Sequence, residues 1–414
     1  MIVKDFTFNT LILLSLISFG VFGSLSHVFN LIIILVLALN FFDFKNNFLV
    51  EQSAKKLYFA ISSVFFVFLI RGIFHSNTWD SIESLSPMLP IPLIGLIILL
   101  TNRDGLRISA ERLENFAKIA IITTFSIYIV FSKSLAFQFG LTDLFLGRLE
   151  IFSGNSIPFS NAVFGVTLFC FANWKNTKIF DKLITVACLI LGFWLAGVAS
   201  GSRGTLLAIL ISIPVIIWLT TRTLSKFFLI IVIIGSIFGL IYLSSGIAVL
   251  GEYYVGRLNN GFDTLLSKSI ADYSIKVRME MWHASINTIR GDAFWGHDIS
   301  NRFTALSKHL PETFNHKFTH PHNDIFASAI GAGLLGGVLS IVSLLSPVWA
   351  ALLSSDYTKE KLLLGSLVTL GLLTTANVNT VFFNDITAAW LAFSTFLIWN
   401  MNYTENDNRN STVQ

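Results

Sequence analysis

Thr319-His320-Pro321-His322-Asn323-Asp324 runs straight into the apolar stretch Ile325-Phe326-Ala327-Ser328-Ala329-Ile330-Gly331-Ala332-Gly333-Leu334-Leu335-Gly336-Gly337. An ionisable cluster therefore stands at the mouth of what reads as a membrane helix. Polar and ionisable groups are expensive in that setting, which makes them functional candidates by default. At about 100° per residue, a regular helix would bring Gly333 and Gly336 near the face of His322 and leave it unobstructed. Gly333 and Gly337 also form a small-xxx-small pair suited to close helix packing.

Working outward, the composition agrees with a membrane setting. Of 414 residues, 54% are hydrophobic and 13% charged, with a mean hydropathy of +0.71. A soluble domain carries about 25% charged residues. The fold class expected is an all-α polytopic membrane protein of about twelve transmembrane helices, judged against ~20 residues per span. The apolar segments are 7–24, 27–43, 57–74, 86–101, 113–132, 156–173, 182–199, 204–220, 227–247, 323–353, 362–378 and 384–401. Pro87, Pro90 and Pro92 crowd the start of the fourth and predict a kinked entry. The first apolar segment is not followed by a clear small-residue cleavage site, so it reads as a span and not a cleaved signal. Cys170 and Cys188 fall inside apolar runs and read as free buried thiols. The net charge of +4 is small and needs no nucleic acid to explain it.

The basic residues orient the chain. With the N-terminus inside, Lys4, Lys45, Lys55, Lys56, Arg103, Arg107, Arg112, Lys118, Lys175, Lys178, Lys182, Arg222, Lys226, Lys359, Lys361 and Arg409 are all cytoplasmic. The short outer connections keep only Arg71, Lys133, Arg148 and Arg203. Such a bias is the positive-inside pattern. It divides the chain into helices one to nine (1–247), a large periplasmic loop (248–322), helices ten to twelve (323–401) and a polar cytoplasmic tail (402–414). A loop that long is expected to carry structure of its own. Within it, Ile270, Tyr273, Val277, Met281 and Ala284 form a helical stripe over Ile270–Arg290, read as packing onto the top of the bundle.

Arginines mark the outer face. Arg203 sits in Ser200-Gly201-Ser202-Arg203-Gly204 at the turn opening the eighth span. The glycines permit a tight bend, the helix N-terminus favours anions, and the guanidinium suits a phosphate or carboxylate. A structural pair with an acid or a carbonyl is the alternative role. Arg278, one turn before Trp282, Arg148 in Gly147-Arg148-Leu149-Glu150, and Arg71 in the outer half of the third span are further candidates. Snorkelling to the interface is the alternative for Arg71. Six of the eight histidines fall between His283 and His322. His320-x-His322 could ligate zinc, but no His-Glu-x-x-His and no compact carboxylate set accompanies it. His322 reads better as a general base, since an unperturbed imidazole titrates near pH 6.5. His320 is the fallback. Asn323 and Asp324 are placed to cap the helix, or Asp324 to orient His322.

Several arginines, one base, no metal motif and no nucleotide-binding glycine loop suit transfer from a donor already activated on a lipid diphosphate. The chain resembles the O-antigen ligase and O-antigen polymerase superfamily. The Ser-Arg-Gly turn at Ser202–Gly204, the Arg278…Trp282…Gly296 stretch and the His322-Asn323-x9-Gly333-x-x-Gly336 pattern occur in the family's order. The resemblance implies an inverting, metal-independent glycosyltransferase of the bacterial inner membrane, with cytoplasmic termini, a periplasmic active site and no cofactor. Its donor would be an undecaprenyl-diphosphate-linked glycan, and its acceptor a lipid A core sugar or a second lipid-linked glycan. By the resemblance, Arg203 and Arg278 contact the diphosphate and His322 activates the acceptor; Arg148 matches a family arginine less closely. Glycine spacing and chain length favour a ligase over a polymerase. A secondary transporter or flippase is the reading from another class. Its long link would be expected inside, after span six, whereas the long loop here follows span nine.

Overall fold

Helices follow the apolar runs. The computed structural model describes residues 2–21, 51–74, 78–100, 107–139, 156–175, 178–200, 202–220, 273–312, 321–378 and 380–403. The segments 27–43 and 227–247 lie outside the described residues. Each of the other ten apolar segments carries helix. Among the described residues, Gln52–Ile73, Ala110–Val130 and Ile179–Gly197 are long and apolar enough to cross a membrane, and Asp324–Leu344 is so by length and composition, although it is broken in the middle. A fifth is the bent pair Thr78–Met88 and Pro90–Leu100, which turns through 63°. The bend falls where the prolines predict it. Pro90 has no N–H to donate and stands at the first position of the second piece, where none is needed.

The last helix, Asp385–Asn400, is the shaft of the bundle. Every residue from Ile386 to Asn400 is buried, so no face of it reaches solvent or lipid. A helix apolar all round belongs in a core. Trp390 packs edge-on against Phe19 (ring centroids 5.2 Å) and Phe169 (5.8 Å). Gly165 makes room for that indole, since a Cβ there would lie 2.2 Å from it. Cys170 and Cys188 are free and buried, as expected.

Polar ties gather at one end of the bundle. Glu114 accepts from Lys118, from Thr185 Oγ1 (3.1 Å) and from the Asn173 amide (2.9 Å). Lys175 pairs with Glu360 at 2.8 Å. Lys361 is fully buried and donates to Ser354 Oγ (2.7 Å), Met401 O (2.8 Å) and Trp399 O (3.3 Å). Basic residues assigned to a single side of the membrane thus collect at a single end. Two of them, Lys118 and Lys361, satisfy buried protein groups and do not sit in open loops. A short parallel pairing, Ile108↔Met401 and Ser109↔Asn402, joins two segments at this end. Tyr403 extends the tie by donating to Ala172 O at 2.8 Å. The polar tail expected from residue 402 is therefore ordered through Tyr403; residues 404–414 lie outside the described residues.

The opposite end holds the loop elements. Tyr273–Gly291 is the helix expected at Ile270–Arg290. Its Val277, Met281 and Ala284 pack with Ala305, Leu306 and Leu310 onto Ile330. These three members of the stripe do pack onto the bundle top; Ile270 and the side chain of Tyr273 lie outside the described set. Here one expectation fails. The tenth apolar segment, 323–353, is not a single regular helix. It breaks at Ala332 (φ −135°, ψ 29°) and Gly333 (φ 68°, ψ −172°), and again around Leu345 before Ser346–Leu353. A Cβ on Gly336 would lie 2.5 Å from Ser328 O, eight residues earlier. In a straight helix that separation is about 12 Å. The two halves therefore fold sharply against each other, and the projection of Gly333 and Gly336 onto the face of His322 does not hold.

Candidate functional site

His322 begins the first half-helix in an unusual backbone state. Its φ is +51°, one of two positive values among described non-glycine residues; the other is Asp298 at +71°. Histidine tolerates this region better than most residues, yet a non-glycine there invites explanation. The next two residues hold the strain in place. Asn323 is extended and caps the helix, its Oδ1 accepting from the Phe326 amide at 3.0 Å. Its amide nitrogen donates to Asn377 Oδ1 at 3.0 Å, and Asn377 in turn donates to Leu373 O at 2.9 Å. Asp324 is wholly buried and accepts from the Val381 amide. The cap expected of Asn323 is present, whereas Asp324 reaches across to the next helix connection. Pro321 and Asn323 are buried on either side, and His322 is half-buried with Nδ1 shielded from solvent.

Two charged residues that the sequence reading passed over stand beside this turn. Asp298 is fully buried; its Oδ2 accepts from Ser81 Oγ, from the Ser300 amide (3.1 Å) and from Ser300 Oγ (2.6 Å). Arg302 donates to Ile299 O and lies 4.3 Å over the Phe383 ring. Burial pulls the Arg302 guanidinium down to about 10, and the nearby Asp324 and Asp298 oppose that fall. It stays protonated at neutral pH, with the Asp324 and Asp298 carboxyl groups near enough to favour its charge. The sequence signal was faint: a charged pair four residues apart in a loop reads equally as solvated surface.

Arg278 and Trp282 project from the same side of Tyr273–Gly291, one turn apart. Trp282 reaches Phe326, with ring centroids 6.3 Å apart, in the first turn of the helix that His322 opens. Arg278 is half-buried and its Nε is shielded. Arg203 begins the helix Arg203–Thr220, with its side chain outside the described set. Its turn is built on a polar network. Ser200 closes the preceding π-helical turn Trp194–Ala199 by donating to Ala196 O. Thr205 Oγ1 meets Ser202 Oγ (3.0 Å), Ser160 Oγ (2.7 Å) and Asn161 Oδ1 (2.7 Å).

These pieces share one end of the bundle. Gly371 packs on Phe164, so the helices Lys359–Val378 and Ser156–Phe169 run side by side. The start of Ser156–Phe169 carries Ser160 and Asn161 under the Arg203 turn. The far end of Lys359–Val378 carries Asn377 beside Asn323. Arg203, Arg278 and His322 are thus on one end, away from the Glu114 and Lys361 networks. Arg71 is at this end too, but it is engaged with backbone: it donates to Trp295 O (3.0 Å) and Gly296 O (2.9 Å). Arg148 and His320 lie outside the described residues.

This arrangement can supply a histidine beside a capped helix start, with cations and a helix N-terminus at the same end. Residues 185–341 match the O-antigen ligase family model. The match takes in the Arg203 turn, the Arg278…Gly296 stretch and the His322…Gly336 pattern, and it bears out the superfamily resemblance read from those motifs. No curated protein matches the chain. Family and apolar helices together indicate a membrane protein, with ligase- or polymerase-type activity on lipid-linked glycans in general.

Proposed function

We propose that the chain is an inverting, metal-independent glycosyltransferase of the O-antigen ligase type. It spans the bacterial inner membrane about twelve times, judged at ~20 residues per span, with both termini cytoplasmic and its site at the periplasmic face. The donor is an undecaprenyl-diphosphate-linked glycan, and the acceptor is a hydroxyl of the lipid A core. With Nδ1 of His322 shielded, Nε2 takes the proton from that hydroxyl. The oxygen attacks the anomeric carbon from the face opposite the diphosphate, and the sugar–oxygen–phosphorus linkage breaks at the sugar. The leaving diphosphate keeps the electron pair, and Arg203, Arg278 and Arg148 stabilise its charge.

One observation carries this reading: His322 is held in a strained, capped turn at the bundle end that also bears the Arg203 turn and Arg278. Strained residues held by their surroundings cluster at functional sites. The test is purified protein in proteoliposomes with a lipid-linked glycan and two competing acceptors, lipid A core and a second lipid-linked unit. Glycosylated lipid A core supports the ligase. Lengthened lipid-linked glycan assigns the chain to the polymerase branch. Counterflow of a labelled solute with neither product points to a transporter.

A further inference from the structure

The break in Asp324–Leu344 is filled by another part of the chain. The His297 amide donates to Ile330 O at 2.7 Å and the Asp298 amide to Gly331 O at 2.9 Å. Going the other way, the Leu334 amide donates to Ala293 O at 2.8 Å. A helix interrupted at Ala332–Gly333 leaves carbonyls and an amide without their usual partners. The finger 293–298 supplies those partners on both sides of the interruption. Two glycines permit the approach, Gly296 and Gly333, each at φ +68°. A Cβ on Gly296 would stand 2.4 Å from the Gly333 nitrogen, and one on Gly333 would stand 2.2 Å from Phe294 O.

Something must hold the finger. The amides of His297 and Asp298 point into the break, those of Trp295 and Gly296 turn back to Asp292, and the carbonyls of Trp295 and Gly296 take their donors from outside the finger. Arg71, in the last turn of Gln52–Ile73, provides both from one guanidinium, through Nε and Nη2. Two fixed, parallel donors are what distinguish arginine from lysine in such a role. The same helix supports the break from below: Gly331 packs on Phe68, and Ser343 donates to Ile61 O at 2.7 Å.

We propose that Arg71 is a positioning residue for glycosyl transfer. It keeps the finger 293–298 seated in the helix break, and the seated finger sets the direction of the half-helix that His322 opens. This rests on the reading of His322 as the base. It assigns the Nε and Nη2 donors of Arg71 to carbonyls of the finger and not to the diphosphate.

The test uses the full-length protein in proteoliposomes, comparing Arg71→Met, Arg71→Lys and Gly296→Ala by hydrogen exchange and by steady-state transfer. In Arg71→Met, exchange over 293–298 and 330–334 accelerates about tenfold or more. Its kcat falls about tenfold or more while the donor KM stays within about threefold. Arg71→Lys recovers part of the loss. Gly296→Ala reproduces the Arg71→Met pattern with the arginine intact, and it carries the test if Arg71→Met does not insert. A raised donor KM with unchanged kcat and exchange would make Arg71 a substrate ligand and overturn the proposal. Unchanged exchange and unchanged kcat would overturn it as well. Wild-type protein that shows the protected finger but transfers no glycan overturns the functional reading itself, which is a distinguishable failure.

Discussion

Replacing Gly333 with alanine concentrates the argument in one methyl group. Gly333 has φ 68° and ψ −172°, a region open essentially to glycine alone. Forcing alanine there costs about 1–3 kcal/mol. The new Cβ would also stand 2.2 Å from Phe294 O and 2.9 Å from Ala293 O, both backbone atoms of the finger. Backbone cannot rotate away as a side chain can, so the finger must lift. Lifting breaks the Leu334 amide bond to Ala293 O, worth about 1 kcal/mol. The strain alone, about 1–3 kcal/mol, shifts the ratio of seated to lifted finger by roughly 5- to 150-fold, and the backbone clash adds to it. Hydrogen exchange over 293–298 and 330–334 measures that shift directly, and steady-state transfer in proteoliposomes measures its consequence. Gly337→Ala is the milder comparison: its Cβ would meet Ala329 Cβ at 3.2 Å, a contact that a shift of a few tenths of an ångström relieves. Wild-type exchange and wild-type turnover in Gly333→Ala would refute the claim that the break and its finger organise the site.

The same geometry sets other outcomes. Arg203→Lys keeps the charge but loses the planar fork, so transfer falls by most of its rate and donor KM rises; steady-state kinetics check it. Arg302→Met removes the buried cation near Asp298 and Asp324 and its stacking on Phe383, lowering thermal stability by about 1–3 kcal/mol, with Arg302→Lys intermediate. Lys361→Met strands the Trp399 and Met401 carbonyls at the other end of the bundle. It should cost about 2–4 kcal/mol in a thermal melt while leaving turnover per folded molecule unchanged. Excess chelator should leave transfer intact, and a loss restored by zinc would revive a metal role for the histidines.

Much of this fold is legible because hydropathy and span length are physical requirements of a bilayer. The ten described segments carry helix near their expected limits, and even the kink at Pro87–Pro92 could be read from missing amides. The stripe Val277, Met281 and Ala284 was legible for a similar reason: helical periodicity exposes its buried face. The break at Ala332–Gly333 was not. Glycines in an apolar run serve close packing and backbone interruption equally well, and the choice depends on a finger some 35 residues earlier in the chain. Arg71 illustrates the same limit. Its position in the outer half of a span suggested a ligand role or snorkelling, and only the fold brings the Trp295 and Gly296 carbonyls to it. Asp298 and Arg302 were passed over because a loop charge looks solvated until its partners are known. Asn323 was read as a cap from its place before an apolar run, and the hydrogen bond from Phe326 is the cap.

In the proposed reaction an imidazole at the start of a broken helix deprotonates an acceptor alcohol as sugar leaves a lipid diphosphate. The most direct measurement is transfer by His322→Ala in proteoliposomes holding lipid-linked glycan and lipid A core, beside wild-type protein at equal inserted amount. The wild type should form glycosylated product, and turnover should fall by about 10²-fold or more in the variant with its thermal melt preserved. Normal transfer by His322→Ala would contradict the proposed reaction.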